Sequence, residues 1–191
     1  MNQTSTSLAG RLLIAMPGLA DPNFWQSVVL LGVHSDEEGA FGLVINRELD
    51  VAMRDILEEL GLETDESDLP EVLAGGPVQP SHGFVLFEHT SFEAADDDIV
   101  VSDSIVVSGS TETLARLAQE PATGRYFLLL GYAGWHPGQL EREIEDNSWV
   151  VAPLDPAILF DVPVGDRWSA ALKSIGIEPG TLVDSGSAEP S

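Results

Sequence analysis

Cysteine is absent from this chain, which excludes disulfides, a thiolate nucleophile and any zinc site built on sulfur. Lysine is nearly absent too. Lys173 is alone beside seven arginines, so eight bases face 32 acids and the formal net charge is −24. Such a chain repels nucleic-acid phosphates and anionic lipid, and with no basic stripe direct nucleic-acid binding is disfavoured. The acids are spread along the sequence, which favours a general role in solubility over one dedicated face for a basic partner. No run of about eighteen apolar residues is present, so no membrane span is expected. The opening "MNQTSTSLAG" lacks the basic and apolar regions of a signal peptide, and a cytoplasmic location is expected.

Several catalytic and ligand-binding patterns are missing as well. There is no G-x-S-x-G elbow, no P-loop and no G-x-G-x-x-G. None of His34, His82, His89 and His136 lies three or four residues from another, the helical spacing that brings two imidazoles to one metal ion. The acidic runs 36–38 and 96–98 do not match a calcium loop. No metal and no cofactor are expected. Ser81 adjoins His82, but neighbours on a strand face opposite ways, so the pair is weak evidence for a nucleophile and its base. With 32 acids, carboxylate pairs arise by chance and none can be singled out.

What is present suits one domain: 191 residues, 43% of them hydrophobic. Apolar, β-branched stretches predict strands over 11–17, 27–34, 40–47, 82–89, 125–135 and 149–154, with 27–47 forming a hairpin. Residues 99–109 read as two short strands bent at Ser102–Asp103, and 71–83 contains a Gly-Gly-Pro turn. The 3.6-residue period predicts helices over 50–61, with Asp50 as N-cap and Gly61 just past the end, and over 111–119, capped by Ser110. Further helices are expected from about Pro137, from Asp155–Pro156 through Phe160, and over 165–175. Unbroken Phe-Leu-Leu-Leu at 127–130 implies a strand buried on both faces. Paired strands without strict alternation with helices indicate an α+β fold, a single domain with a mixed, mostly antiparallel sheet. Residues 8–177 form the domain, and 1–7 and 178–191 read as disordered tails.

The stretch "GYAGWHPGQLEREIEDNSW" (131–149) is the most distinctive in the chain. Its packing account has Tyr132 and Trp135 ending a buried strand, Pro137 pre-organising a helix, and Leu140 and Ile144 turned inward. The functional alternative makes Trp135 and His136 part of a groove. An anion there would meet the acidic helix, with Glu141, Glu143, Glu145 and Asp146 against Arg142, so phosphate binding is disfavoured.

Six blocks taken in order resemble the YqgE/AlgH family of bacterial proteins: "LLIAMPGLADPNFWQSVVLL" (12–31), "EEGAFGLVINREL" (37–49), "GGPVQPSHGFVLFEH" (75–89), 131–153, "ILFD" (158–161) and "DRWSAALKSIGI" (166–177). The resemblance implies a split or barrel-like sheet flanked by helices, a cytosolic protein, and for some members the label of transcriptional regulator. It brings no catalytic residues. Trp25–Gln26 stands where a more basic stretch is expected and the acidity is more extreme than the family's, which weakens direct DNA binding; His136 stands where a small residue is expected, which weakens a family-wide catalytic role for it. The family-like residues concentrate in loops and corners. They nominate a ligand or partner groove at Pro17, Asp21, Asn46, Tyr132, Trp135, His136 and Gln139, and a non-enzymatic binding or regulatory protein with a protein partner. The alternatives are a hydrolase using water activated by a carboxylate or His136, and a direct DNA-binding regulator. The oligomeric state is left open.

Overall fold

The computed structural model describes residues 6–89, 94–120 and 125–184. Among them are nine strands: β1 (Arg11–Ala15), β2 (Val28–Ser35), β3 (Gly39–Val44), β4 (Val72–Ala74), β5 (Val78–Glu88), β6 (Ile99–Val100), β7 (Ile105–Ser108), β8 (Tyr126–Trp135) and β9 (Trp149–Pro153). The α-helices are α1 (Met53–Glu59), α2 (Thr111–Gln119), α3 (Gln139–Glu145), α4 (Pro156–Phe160), α5 (Arg167–Ser174) and α6 (Pro179–Asp184). The strands form one open sheet in the order β6-β7-β5-β8-β3-β2-β1-β9, antiparallel throughout, with β4 added in parallel to β8. This is the α+β domain expected, with a sheet that does not close. No helix among the described residues is long and apolar enough to cross a membrane.

Strand β8 is the spine. Its first half pairs with β5 and β4, and its last three residues pair with β3. At the change of partners the chain passes very close to the Gly-Gly-Pro turn. A Cβ on Gly131 (φ 80°) would lie 2.2 Å from the Gly76 carbonyl oxygen, and one on Gly76 (φ 154°) would lie 2.1 Å from the Tyr132 carbonyl carbon. Only glycine permits that approach.

Apolar residues cover both faces of the central strands, as the unbroken runs require. Leu12, Ile14, Leu43 and Leu129 face a core roofed by Ile158, Trp168 and Leu172 of α4 and α5. Met53 and Leu57 of α1 pack with Leu114 and Leu117 of α2 on Val85, Phe87 and Leu128. Leu13, Leu31, Ala133, Trp135 and Trp149 gather around Leu140 of α3.

The hairpin, the Ser110-capped helix and the Asp155-capped helix lie where the sequence placed them. Three expectations need correction. The segment 71–83, expected to contain a Gly-Gly-Pro turn, also holds strand: β4 (Val72–Ala74) binds β8, and the Glu48–Leu73 bridge with the Leu49 N–H donating to the Val72 carbonyl holds residues 48–49 on the sheet. Helix α1 therefore starts late, with Ala52 and not Asp50 at the N-cap. Finally, Pro179–Asp184 is helical inside the stretch expected to be an unstructured tail, anchored by Leu182 against the main core. Residues 1–5 and 185–191 of the expected tails lie outside the described residues.

Candidate functional site

The loop between β1 and β2 joins most of the nominated residues. Asp21 caps a 3-10 turn at Pro22–Phe24 by accepting from the Asn23 N–H at 2.9 Å. The two aromatic residues that follow point opposite ways. Phe24 turns inward, its ring 6.2 Å from Trp135 and 5.5 Å from Trp149. Trp25 turns outward and is 66% exposed, the most exposed large apolar side chain among the described residues.

Beneath this loop, the segment just after β3 supplies two braces. Asn46 accepts from the Val28 N–H and donates to the Gln26 carbonyl, each at 2.8 Å, so both ends of its amide are engaged. Gln26 sits at φ 51°, a left-handed conformation that this clamp holds in place. The Arg47 guanidinium donates to the carbonyls of Asn23 and Trp25. Partial burial lowers its pKa and nearby Asp21 opposes that shift. A cleft of about 550 Å³ opens beside these groups, lined on the loop side by Pro22, Trp25, Asn46 and Arg47, and on the far side by Trp168 and Ser169 of α5 and by the start of α6.

The 131–149 corner is built differently. Trp135 is 6% exposed and Trp149 2%. Both indole N–H groups donate to the same oxygen of Glu143, at 2.9 and 2.8 Å, and Gln139 donates to its other oxygen at 3.0 Å. The Gln139 side chain also accepts from the His136 N–H. Glu143 thus binds strand β8, helix α3 and strand β9 into one corner, with every polar atom of the buried indoles satisfied. The neighbouring Glu141 reaches back to His34, Oε1 to Nε2 at 2.6 Å, while His34 Nδ1 accepts from the Leu8 N–H at 3.0 Å. Since Nδ1 is the acceptor, the ring proton resides on Nε2 and is donated to Glu141. Burial opposes the charge on Glu141, but hydrogen bonds from the backbone and His34 hold its pKa below the usual carboxylate range.

The nominated residues therefore divide. Trp135 and Gln139 belong to the Glu143 corner, and Phe24 connects that corner to the loop of Asp21 and the clamp of Asn46. Pro17 is exposed just after β1, and His136 is exposed before α3. Tyr132 lies on the opposite face of β8, its ring 5.2 Å from Phe41 and 6.0 Å from Phe84, and does not join the others. Trp25, Arg47 and Glu143 were not among the residues nominated from sequence. The unexpected Trp25–Gln26 pair in a loop otherwise like the family was the available signal for the first.

Comparison with known proteins gives the family and the fold. The profile of an AlgH-like family matches residues 12–180. A UPF0301 protein of Magnetococcus marinus is 42% identical over 180 residues, covering 93% of this chain and 94% of that protein. One from Chromobacterium violaceum is 40% identical, with 93% and 95% covered. The solution structure of the AlgH protein from Pseudomonas aeruginosa superposes with a TM-score of 0.73 at 38% identity, covering 100% of this chain and 99% of the other. A crystal structure of a Corynebacterium diphtheriae protein gives 0.69 at 25% identity, with 91% and 89% covered.

Proposed function

The chain belongs to the AlgH-like family, and on that premise we propose that it is a non-enzymatic, cytoplasmic binding or regulatory protein that works through protein contacts on the face bearing the loop 18–27. The observation that carries this reading is Trp25. Trp25 is 66% exposed and stands on a loop braced by Arg47, Asn46 and Phe24 at the rim of an open cleft, so a large aromatic is held ready for contact on a fixed support. Large aromatics on stiff supports are the usual anchors of protein interfaces, because little side-chain and loop entropy is lost when they are buried. Asp21 and Asn46 serve as braces of the anchor, and Trp135 and Gln139 as its backing.

The test is affinity isolation from cells of the source organism with tagged wild type and Trp25→Ala, each first shown to be folded by its melting temperature and near-UV circular dichroism. A protein recovered by the wild type and lost with Trp25→Ala supports the reading. Identical recovery by both, or no specific protein with either, would overturn it.

A further inference from the structure

A second surface, sharing no lining residue with the Trp25 cleft, has its own chemistry. Helices α1 and α2 straddle the irregular part of β5, where the register with β8 breaks between Val78 and Gly83 and Gln79 takes φ 44°. The break leaves a cleft of about 420 Å³ with an aliphatic floor of Ile56, Val85, Leu114, Leu128 and Leu130. That volume falls in the roughly 300–1,000 Å³ range of binding clefts. Leu60 lies at its edge and is 47% exposed. Glu59 is the charged group in the lining, which contains no lysine or arginine.

Acids are spread along the sequence as a whole, but the segment that builds this side of the cleft is unusually rich in them. Residues 53–71 carry Asp55, Glu58, Glu59, Glu63, Asp65, Glu66, Asp68 and Glu71 against Arg54 alone. Arg54 donates to the Glu66 carbonyl at 2.6 Å, tying the acidic connection back to α1. The slot takes Ile56, Glu59 and Leu60 from this segment, so Glu59 stands in its lining, Asp55 and Glu58 belong to the same helix α1, and the chain around it carries a net charge of −24.

We propose that this cleft docks a basic amphipathic segment of a partner protein, whose aliphatic side chains enter the slot beside Leu60 while its lysines or arginines meet Glu59 and the negative field of this acidic chain. The apolar floor supplies the anchor of helix-in-groove recognition, and the negative field supplies selection by sign. An acidic or neutral segment would gain the apolar contact alone, and a basic segment without aliphatic residues would gain the screened, long-range attraction alone.

The full-length protein is titrated at physiological salt with three short fluorescent peptides of one length: an amphipathic lysine–leucine peptide, its glutamate–leucine counterpart, and a lysine–glutamine peptide of equal charge. The lysine–leucine peptide is expected to bind at least about tenfold tighter than either control. Leu60→Asp, which adds negative charge while removing the anchor, is expected to weaken that peptide about tenfold. Leu60→Gln provides the same comparison should the aspartate variant melt early. Trp25→Ala is expected to bind the peptide like the wild type, which separates this site from the loop face. Equal binding of the lysine–glutamine peptide, equal binding of the glutamate–leucine peptide, unchanged affinity of the folded Leu60 variant, or no binding at all would each overturn the proposal.

Discussion

Trp135 and Trp25 are linked through a single residue, Phe24, and have opposite fates. The ring of Trp135 is sealed under α3 and its N–H is held by Glu143. Trp25 projects into water from a loop whose backbone is hydrogen-bonded at each residue from Asn23 to Ser27. The corner that stands out in sequence, with its glycines, tryptophan and histidine, is a structural joint. The plainer loop before β2 carries the exposed aromatic. Density of unusual residues marks where backbone and buried polar groups are hardest to satisfy, and that is not always where a partner would touch.

The contrast can be tested by substitution. Trp135→Ala should cost about 3–5 kcal/mol in urea or guanidinium unfolding, since a large buried ring is lost and its cavity cannot collapse easily under α3. Glu143→Ala should cost about 2–4 kcal/mol, because two buried indole N–H groups lose their shared acceptor at once. A loss well under 1 kcal/mol there would mean that the carboxylate does not hold the corner. Asn46→Ala should cost about 1–3 kcal/mol by orphaning the Val28 N–H, and should raise hydrogen exchange in residues 21–28 more than elsewhere. Glu141→Gln should act mainly on pH dependence. The depressed carboxyl pKa means that its stabilisation is present above the ordinary value of about 4.3 and is lost as the pH falls through the lower folded value. The variant should flatten the acid limb of the stability curve while leaving neutral-pH folding cooperative. Smallest of all, Trp25→Ala should change unfolding free energy by no more than about 0.5 kcal/mol. A cost near that of Trp135→Ala would erase the distinction between the two tryptophans.

Much of the fold was legible because local chemistry and tertiary packing agree in this chain. Ser110 caps the helix it was expected to cap, the helix expected from Asp155–Pro156 starts there, and the unbroken apolar run of β8 is buried on both sides. Reading failed where a distant partner decides. Three residues of β4 beside a Gly-Gly-Pro turn read as turn until β8 is laid along them, and the same pairing moves the start of α1 from Asp50 to beyond Ala52. The candidate site followed the same pattern. Asp21 and Asn46 were noticed in sequence, and the structure gives each a definite clamp. Burial of Trp135 depends on Phe24, Glu143 and Trp149, which converge from three separate segments, and no periodicity within 131–149 reports that. Arg167 is a further case: it is 2% exposed, donates to the Val162 and Ile45 carbonyls and stacks 4.8 Å from Phe127, while burial pushes its pKa down to about 10. In sequence it is only the first basic residue of an amphipathic helix.

The loop 18–27 is proposed to present Trp25 for contact while the rest of the motif-rich corner holds the fold. Once a partner protein has been isolated and purified, its affinity for wild type and for Trp25→Ala, titrated side by side with their unfolding free energies, tests this most directly. At least about a tenfold weaker complex is expected for Trp25→Ala at unchanged stability. Equal affinities for the two proteins would contradict it.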